Sequence, residues 1–297
     1  MLEYVSQQLL NGLLLGSLYA LIAIGFSLIY GIIRLINFAH GDVAMMGAYL
    51  TLGLFAALGF PFPVTFILVA AGGFLIGVLI DLIGFRPMRN APQVTGFITS
   101  LAISILIQNF GIMGLSAQPR NFQVPDYLQA RLEIGFLSLR VLDVAILVAS
   151  ILIMVALVAF VRRSRLGVAM RATADNLPVA RLMGINTDRT IMLAFSIGGS
   201  LAAVAGLFWG AKYGQIDPMM GFVPGLKAFL AAVIGGVGSI AGAVVGGYLL
   251  GFAEILFVGF LPPEYASYRD GFVFTLLIVF LLVRPRGLLG TLTEERA

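Results

Sequence analysis

The 297-residue chain is 60% hydrophobic and only 11% charged, and its mean hydropathy is +1.03. Soluble domains carry about 25% charged residues, so this composition excludes a water-soluble fold and predicts an integral membrane protein. The absence of cysteine excludes disulfides, thiol catalysis and cysteine-based metal sites. The net charge of +4 is attributed to arginines that hold loops in the cytoplasm, and no nucleic-acid partner is predicted.

Apolar segments set the order of the predicted elements, since a membrane-spanning helix needs about 20 apolar residues. A shorter apolar segment lies at about 224–237 and predicts a short or re-entrant helix. Glycine makes up 36 of the 297 residues and lets membrane helices approach closely, so the bundle is predicted to be compact. The fold class is an all-α polytopic membrane protein, with one transmembrane domain over residues 1–297. Its eight full spans are predicted at about 9–31, 42–59, 63–84, 94–116, 141–161, 190–211, 239–260 and 268–283.

Basic residues predict the orientation of this multi-pass chain, because short loops rich in arginine and lysine stay in the cytoplasm. If the N-terminus lies outside, most of the 18 basic residues fall in inside loops, and the C-terminus is cytoplasmic. The arginines assigned to the inside are Arg34, Arg86, Arg89, Arg162, Arg163, Arg165, Arg171, Arg181, Arg189, Arg284, Arg286 and Arg296.

Two loops are long in this arrangement. The extracytoplasmic loop at about 117–140 contains Pro119 and Pro125, which interrupt regular structure. Two interpretations of it stay open: a cap over the outer mouth of a pathway, or a solvated connector with one short interfacial helix. The cytoplasmic loop at about 162–190 contains the longest clearly polar stretch of the sequence.

A glycine-rich break, GGVGS at residues 235–239, separates the short helix from the span that follows it. Glycine turns a chain without the steric penalty of a Cβ atom. Irregular backbone at membrane depth is tolerated only inside protein or beside a water-filled cavity, so the hairpin is predicted to be central in the bundle. Its candidate pathway or gate residues are Gly235, Gly236, Gly238 and Ser239.

A second candidate for the pathway or gate lies before the second predicted span and comprises Asn37, His40 and Asp42. A histidine and an acid two residues apart do not form a metal site by themselves, and no metal or other cofactor is predicted. Two interpretations of Asp42 stay open: it caps the helix start, or it acts in the pathway as an intramembrane ionisable group. Interhelical hydrogen bonding or a role in conduction is predicted for Asn11, Asp81, Gln108, Asn109 and Glu254.

The sequence predicts a transport protein without catalytic activity of its own. It has no acid–base cluster, and its two lysines, Lys212 and Lys227, do not lie in a phosphate-binding GxxxxGK[ST] loop. It also lacks spaced membrane carboxylates of the kind that relay protons in a coupled carrier. Energy therefore comes from a partner protein, or transport runs downhill.

The stretch RATADNLPVARLMGINTDR in the cytoplasmic loop carries helix start and stop signals. Asp175 and Asn176 are good N-cap residues, Pro178 suits a first helical turn, and Gly184 suits the position after a helix end. These signals predict a helix of about two turns at about 177–183. So short a helix is unstable alone in water, so it packs on a partner or, as a connector, on its own bundle.

Four segments in order carry a resemblance that covers essentially the whole chain. They are NGLLLGSLYALIAIGFSLIYGIIRLINFAHGD at 11–42, RATADNLPVARLMGIN at 171–186, LKAFLAAVIGGVGSIAGAVVGGYLLG at 226–251 and LLVRPRGLLG at 281–290. With these motifs the sequence resembles the LivH-type permease subunits of bacterial branched-chain amino acid ABC importers. The resemblance implies a type II ABC importer-like fold in the bacterial inner (plasma) membrane.

The resemblance also implies that the loop after the fifth span acts as an EAA loop, whose short coupling helix sits in a cleft of the ATPase. Ala180 and Gly184 match that loop's E-A-A-x-x-x-G pattern, whereas Pro178 and Val179 replace its first two residues. The arginines of the loop either pair with ATPase carboxylates or serve only as topology anchors. The coupling-loop residues are then Arg171, Asp175, Asn176, Pro178, Ala180, Arg181, Gly184, Asn186 and Arg189.

The implied partners are a second homologous permease chain, two cytoplasmic ABC ATPase subunits, a periplasmic substrate-binding protein and membrane lipid. The implied function is inward transport of leucine, isoleucine and valine by alternating access, driven by the partner ATPases. Two alternatives stay open. The chain could serve an importer of the same type for urea, amides or other amino acids, or it could be a partner-independent secondary transporter or channel.

Overall fold

The computed structural model describes residues 1–89, 91–135, 137–285 and 287–290. Within them the chain forms a helical bundle with a few short strands. The helices are α1 (Leu2–Ile33), α2 (His40–Thr51), α3 (Phe62–Leu79), α4 (Gln93–Leu115), α5 (Asp126–Gln129), α6 (Val141–Arg163), α7 (Arg165–Asp175), α8 (Leu177–Leu182), α9 (Thr187–Tyr213), α10 (Phe222–Gly235), α11 (Ile240–Phe260) and α12 (Arg269–Val283). The strands are β1 (Arg120–Asn121), β2 (Arg131–Ile134), β3 (Leu137–Arg140) and β4 (Gln215–Ile216).

Seven of the described helical segments are long and apolar enough to cross a membrane. They match seven of the eight predicted spans and confirm an all-α, polytopic membrane fold. The second predicted span, 42–59, is different because α2 has only 12 residues and continues as a π-helix over Leu52–Ala57. The count of eight spans is therefore approximate. The predicted short helix is α10, with 14 residues.

Helices α1 and α9 form the centre of the bundle. Helix α1 packs against α11, α9 and α10, while α9 packs against α3, α2 and α1. Most of α1 and α9 is buried, whereas α4 and α12 lie at the periphery with most of their surface exposed. The burial of α10 against α1, α2 and α11 confirms the predicted central position of the short helix.

Glycines allow the central helices to touch through their main chains. A Cβ atom on Gly47 of α2 would overlap Ala203 of α9, and a Cβ atom on Gly206 of α9 would overlap the carbonyl oxygen of Ala44. Lipid tails are as apolar as leucine, so close van der Waals packing replaces the hydrophobic effect as the force between membrane helices. The high glycine content therefore supports the packing of α2 on α9.

A Gly206→Ala substitution is expected to destabilise the protein by about 2–3 kcal/mol, because the added methyl group meets backbone that cannot rotate away. The thermal midpoint of the purified protein in detergent measures this effect. The matched control is Gly114→Ala in α4, where the new Cβ has no neighbouring atom within 4 Å. That control should change stability by less than about 1 kcal/mol, in the stabilising direction. Equal midpoints for both variants would contradict this account of the packing.

The bundle has two ends, and we call the end that contains α7 and α8 the coupling end. The C-terminus of α1 lies there, where the Arg34 carbonyl accepts a 3.0 Å hydrogen bond from the Gln93 side chain. At the opposite end, the Tyr4 hydroxyl donates to the Gly259 carbonyl near the end of α11. Arg286 and Arg296, two of the arginines assigned to the inside, lie outside the described residues.

The extracytoplasmic loop predicted at 117–140 is a packed structure at the opposite end. Strand β1 pairs with β4, and β2 pairs with β3 as an antiparallel hairpin. The loop contains one short helix, α5, as in the connector interpretation, and it also contains strands that the sequence did not predict. Phe122 is buried, close to Gly210 of α9, so the loop is anchored on a central helix.

Helices α2 and α10 both begin inside the bundle. The His40 ring at the start of α2 lies against Gly25, eight residues before the end of α1 at Ile33. At 1.5 Å per residue, this places the start of α2 about 12 Å from the coupling end. Gly41 packs directly on Gly221, next to the start of α10. Residues 34–39 therefore return into the bundle, and two helices begin side by side at depth.

Candidate functional site

The predicted coupling helix is α8, which matches the predicted range 177–183 to within one residue. Asn176 is its N-cap, and the Asn176 side chain accepts a 3.1 Å hydrogen bond from the backbone N–H of Val179. Pro178 lies in the first turn, where its missing N–H costs nothing. Asp175, the other predicted cap, instead ends α7.

The end of α8 is closed by a Schellman motif around Gly184. Its φ of +83° favours glycine. The backbone N–H of Gly184 donates to the Arg181 carbonyl, and that of Ile185 donates to the Ala180 carbonyl, both at 3.0 Å. Asn186 then caps α9 by accepting from the backbone N–H of Arg189 at 3.0 Å. Both ends of the short helix are therefore fixed by hydrogen bonds.

One face of α8 packs on the bundle and the other is open. Ala180 is buried on the inner face. Leu182 and Met183 are 87% and 77% exposed, and Val179 is half-exposed. Large apolar side chains on a polar surface mark interaction sites when they cluster in this way. Helix α8 therefore presents a rigid apolar tip.

Arginines connect residues 162–190, which we call the coupling segment, to the rest of the bundle. Arg89 bridges Asp81, in the π-helical extension of α3, and Asp188, in the first turn of α9, with N–O distances of 2.5 Å. Arg181 donates to the Thr187 hydroxyl at 2.8 Å, and Arg171 donates to the carbonyl oxygen of Val161. Arg189 is exposed. Arg171 and Arg181 thus have contacts within their own chain.

Two clefts lie beside the coupling segment. One of about 480 Å³ lies between α8 and the chain after α1. The other, of about 530 Å³, joins α7 to the turn between α10 and α11. Arg34 lines both, so this residue lies where the coupling segment, α1 and the glycine-rich turn meet. Other lining residues are Arg89, Asn176, Pro178 and Arg181 in the first cleft, and Arg171, Asp175, Gly238 and Gly290 in the second.

The glycine-rich turn belongs to the coupling end. Gly236 and Gly238 have φ values of +109° and +86°, and the Ser239 hydroxyl caps α11 by accepting from the Gly242 N–H at 3.0 Å. Gly235 touches α11 where a Cβ atom would overlap Gly242. The backbone break at depth is therefore the start of α10, whereas the predicted break at 235–239 lies at an end of the bundle.

A segment near the C-terminus holds this turn in place, and the sequence analysis did not predict it. The backbone N–H groups of Leu288 and Leu289 donate to the Ile234 and Gly235 carbonyls, both at 2.8 Å. These carbonyls end α10 and have no partner within their own helix. Residues 287–290 therefore act as a distant C-terminal cap for α10.

The cluster Asn37, His40 and Asp42 is buried where α2 begins. The N-cap of α2 is Ala39, and no side chain caps this helix, so the capping interpretation of Asp42 is wrong. The Asp42 carboxylate instead accepts hydrogen bonds from α4. The His40 ring packs edge-on against Phe26, with ring centroids 4.6 Å apart. His40 lies against Gly25 of α1 and Gly238 lies against Gly31, so the two sets of candidate residues meet α1 six residues apart.

The structure also contains a buried cluster of ion pairs that the sequence did not predict. Lys227 of α10 is 1% exposed and lies 2.9 Å from Glu254 of α11 and 2.7 Å from Asp270 of α12. Glu254 also binds Arg269 at 3.0 Å and accepts from the Tyr19 hydroxyl at 2.8 Å. The sequence feature that could have predicted this cluster is a lysine within an apolar helix, because such a charge needs a buried partner. The cluster joins α1, α10, α11 and α12.

The other polar residues in the spans differ in their hydrogen-bond partners. Gln108 and Glu254 make the predicted interhelical hydrogen bonds. Asp81 pairs with Arg89, eight residues further along the chain. The prediction of interhelical hydrogen bonds is wrong for Asn11 and Asn109, which bond to Gln8 and to the Ile105 carbonyl within their own helices. A role of these two residues in conduction stays a prediction.

The fold and these sites define a polytopic membrane protein with a short, capped helix exposed at one end of the bundle. A solved structure described as PsaBC from Streptococcus pneumoniae in complex with Fab has the same fold, with a TM-score of 0.52. It covers 93% of this chain and 91% of its own chain at 14% sequence identity.

Residues 8–282 match the family model described as branched-chain amino acid transport system / permease component. The chain belongs to this family. It is 43% identical to the high-affinity branched-chain amino acid transport system permease protein LivH of Escherichia coli strain K12, over 99% of this chain and 98% of that protein. It is 41% identical to the permease protein BraD of Pseudomonas aeruginosa, over 98% and 97% of the two chains. It is therefore a permease subunit of the ABC importer class, as the motifs of the sequence predicted.

Proposed function

We propose that the chain moves branched-chain amino acids into the cell by alternating access. In this proposal it works with a second homologous permease chain, two ATPase subunits on the cytoplasmic side and a periplasmic substrate-binding protein. The substrate class rests on the printed names of LivH and BraD, which match this chain over nearly its full length. The observation that carries the coupling mechanism is α8, a capped helix with an exposed apolar tip.

The geometry of α8 supports a mechanical connection to an ATPase. Leu182 and Met183 are largely exposed and suit a cleft on a partner, whereas Ala180 packs inward. Arg181 of α8 donates to the Thr187 hydroxyl of α9 at 2.8 Å and lies 3.7 Å from Asp188, which Arg89 bridges to Asp81 in the π-helical extension of α3. A displacement of α8 therefore moves central helices, which is the coupling that alternating access needs.

The orientation follows from the same assignment. If α8 meets a cytoplasmic ATPase, the coupling end faces the cytoplasm and the N-terminus lies outside. The opposite end, with the β2–β3 hairpin and α5, then faces the periplasm and the binding protein. This agrees with the orientation predicted from the arginines, since short arginine-rich loops stay inside.

Uptake of radiolabelled L-leucine into proteoliposomes that contain the assembled importer tests the function. We expect at least tenfold more uptake when ATP and loaded binding protein are both present than when either is missing. Unlabelled isoleucine and valine should compete with the label, whereas urea and acetamide should not. Uptake that persists without ATP would instead identify a secondary transporter or channel, and competition by urea would move the substrate class to amides.

A further inference from the structure

The buried carboxylates of the described residues differ in how their charge is balanced. Four acidic side chains are buried, and three of them pair with a cation. Asp42 is the fourth, and it forms no ion pair with any described residue although it is fully buried. The three pairs are Asp81–Arg89 at 2.5 Å, Asp143–Lys212 at 3.1 Å and Glu254–Lys227 at 2.9 Å.

The surroundings of Asp42 are polar but neutral. The Ser104 hydroxyl donates to Oδ2 at 2.5 Å, and the Gln108 amide donates to Oδ1 at 3.0 Å. Hydrogen bonds of this kind stabilise a carboxylate without balancing its charge. An ionised carboxylate buried without a counter-charge is strongly unfavourable, so Asp42 either takes up a proton or pairs with a cation that comes from outside the described residues.

The start of α2 adds partial positive charge beside Asp42. The residue lies in the first turn of this helix, where the free N–H groups carry partial positive charge. The start of α10 lies beside it, since Gly41 packs on both Gly221 and Gly225. Asp42 therefore lies where two helices begin at depth.

Helix α4 covers Asp42 with a narrow polar stripe. The buried residues of α4 recur every three or four positions, so they lie on one face, and the rest of this peripheral helix is largely exposed and apolar. A separation of α4 from α2 would uncover the carboxylate without breaking other extensive packing. The stripe consists of Gly96, Ser100, Ser104, Gln108 and Gly111.

We propose that Asp42 binds the α-ammonium group of the amino acid in transit. This rests on the proposed function, since it assigns the cation to the substrate. A primary ammonium group supplies the positive charge that no described residue provides to Asp42. Ser104 and Gln108 are positioning residues that hold the carboxylate while the ammonium group is absent.

Binding of tritiated L-leucine to the purified importer, without its binding protein, tests the proposal on the unaltered chain. 3-Methylbutylamine, which is leucine without its carboxylate, is expected to displace the label. 4-Methylpentanoate, which lacks the ammonium group, should not displace it. Displacement by the acid and not by the amine, or no saturable binding at all, would overturn the assignment.

Variants of Asp42 give a second measurement in the proteoliposome assay. Asp42→Asn keeps the size and the hydrogen-bonding capacity of the side chain but removes the charge. We expect it to lower the leucine transported per ATP hydrolysed at least tenfold, and Asp42→Glu to lower it less. Ser104→Ala keeps the charge and should cost less than threefold. Ser100→Ala is the matched control, because its hydroxyl bonds only to the Phe97 carbonyl within α4.

The outcomes separate this proposal from the function on which it rests. Transport per ATP that is unchanged in Asp42→Asn would show that the charge has no role. An equal loss in Ser104→Ala and Asp42→Asn would show that the contact between α2 and α4 matters rather than a substrate contact. If the unaltered importer showed no ATP-dependent uptake of leucine, the proposed function itself would fail.

Discussion

ATP-driven uptake is expected to fall at least 100-fold when Leu182 and Met183 are both replaced by aspartate. Both side chains extend from the tip of α8 and are mostly exposed, so the substitutions do not disturb the fold. Burying two such side chains in a partner cleft is worth about 1.5–3 kcal/mol each, and two unpaired carboxylates would add a desolvation cost. The loss should appear both in uptake and in co-purification of the ATPase subunits.

The control for this prediction lies on the neighbouring helix. Val168 of α7 is also an exposed apolar residue at the coupling end. Val168→Asp therefore measures the general cost of a carboxylate on this surface, and it is expected to change uptake less than threefold. Full uptake by the Leu182→Asp, Met183→Asp double variant, with the ATPases still bound, would show that α8 is only a connector.

Lys227→Met is expected to destabilise the protein by about 3 kcal/mol. Removing one partner of a buried ion pair leaves the other charge uncompensated, which costs about 3–5 kcal/mol in soluble proteins. Arg269 still contacts Glu254 in this variant, so the lower end of that range applies. Detergent titration followed by a structural probe measures the change in the free energy of unfolding.

A double variant tests whether charge balance causes this loss. Lys227→Met combined with Glu254→Gln removes one charge of each sign and leaves Arg269 paired with Asp270 at 3.5 Å. The glutamine also keeps an acceptor for the Tyr19 hydroxyl. We expect the double variant to recover at least half of the lost stability, since replacing both members of a buried pair is often neutral. A double variant no more stable than Lys227→Met would mean that packing around the lysine matters more than its charge.

The features that could be predicted from the sequence depend on residues close together in the chain or on the length of an apolar segment. The limits of α8 follow from Asn176, Pro178 and Gly184, each of which acts on backbone groups within a few residues. The long spans follow from apolar length alone, because lipid demands it. The short length of α10 could be predicted for the same reason, because too few apolar residues precede the glycines at 235–239 for a full span.

Contacts between distant residues could not be predicted in the same way. The sequence places Asp42 where a helix begins, which suggests capping, but Ser104 and Gln108 from α4 bond it instead. Lys227 and Glu254 meet only after α10 and α11 pack together. The second span was predicted as one continuous helix, because hydropathy does not reveal the π-helical segment that follows α2.

The bonds from Leu288 and Leu289 to the end of α10 have a consequence for biogenesis. During synthesis, α10 emerges before α11 and α12, so its last carbonyls stay without these donors until both later helices and residues 288 and 289 have been made. The turn at Gly236 therefore acquires its final geometry late in assembly. Because the donors are backbone amides, a nascent chain stopped before residue 287 would carry every long span and still lack the closure of this turn.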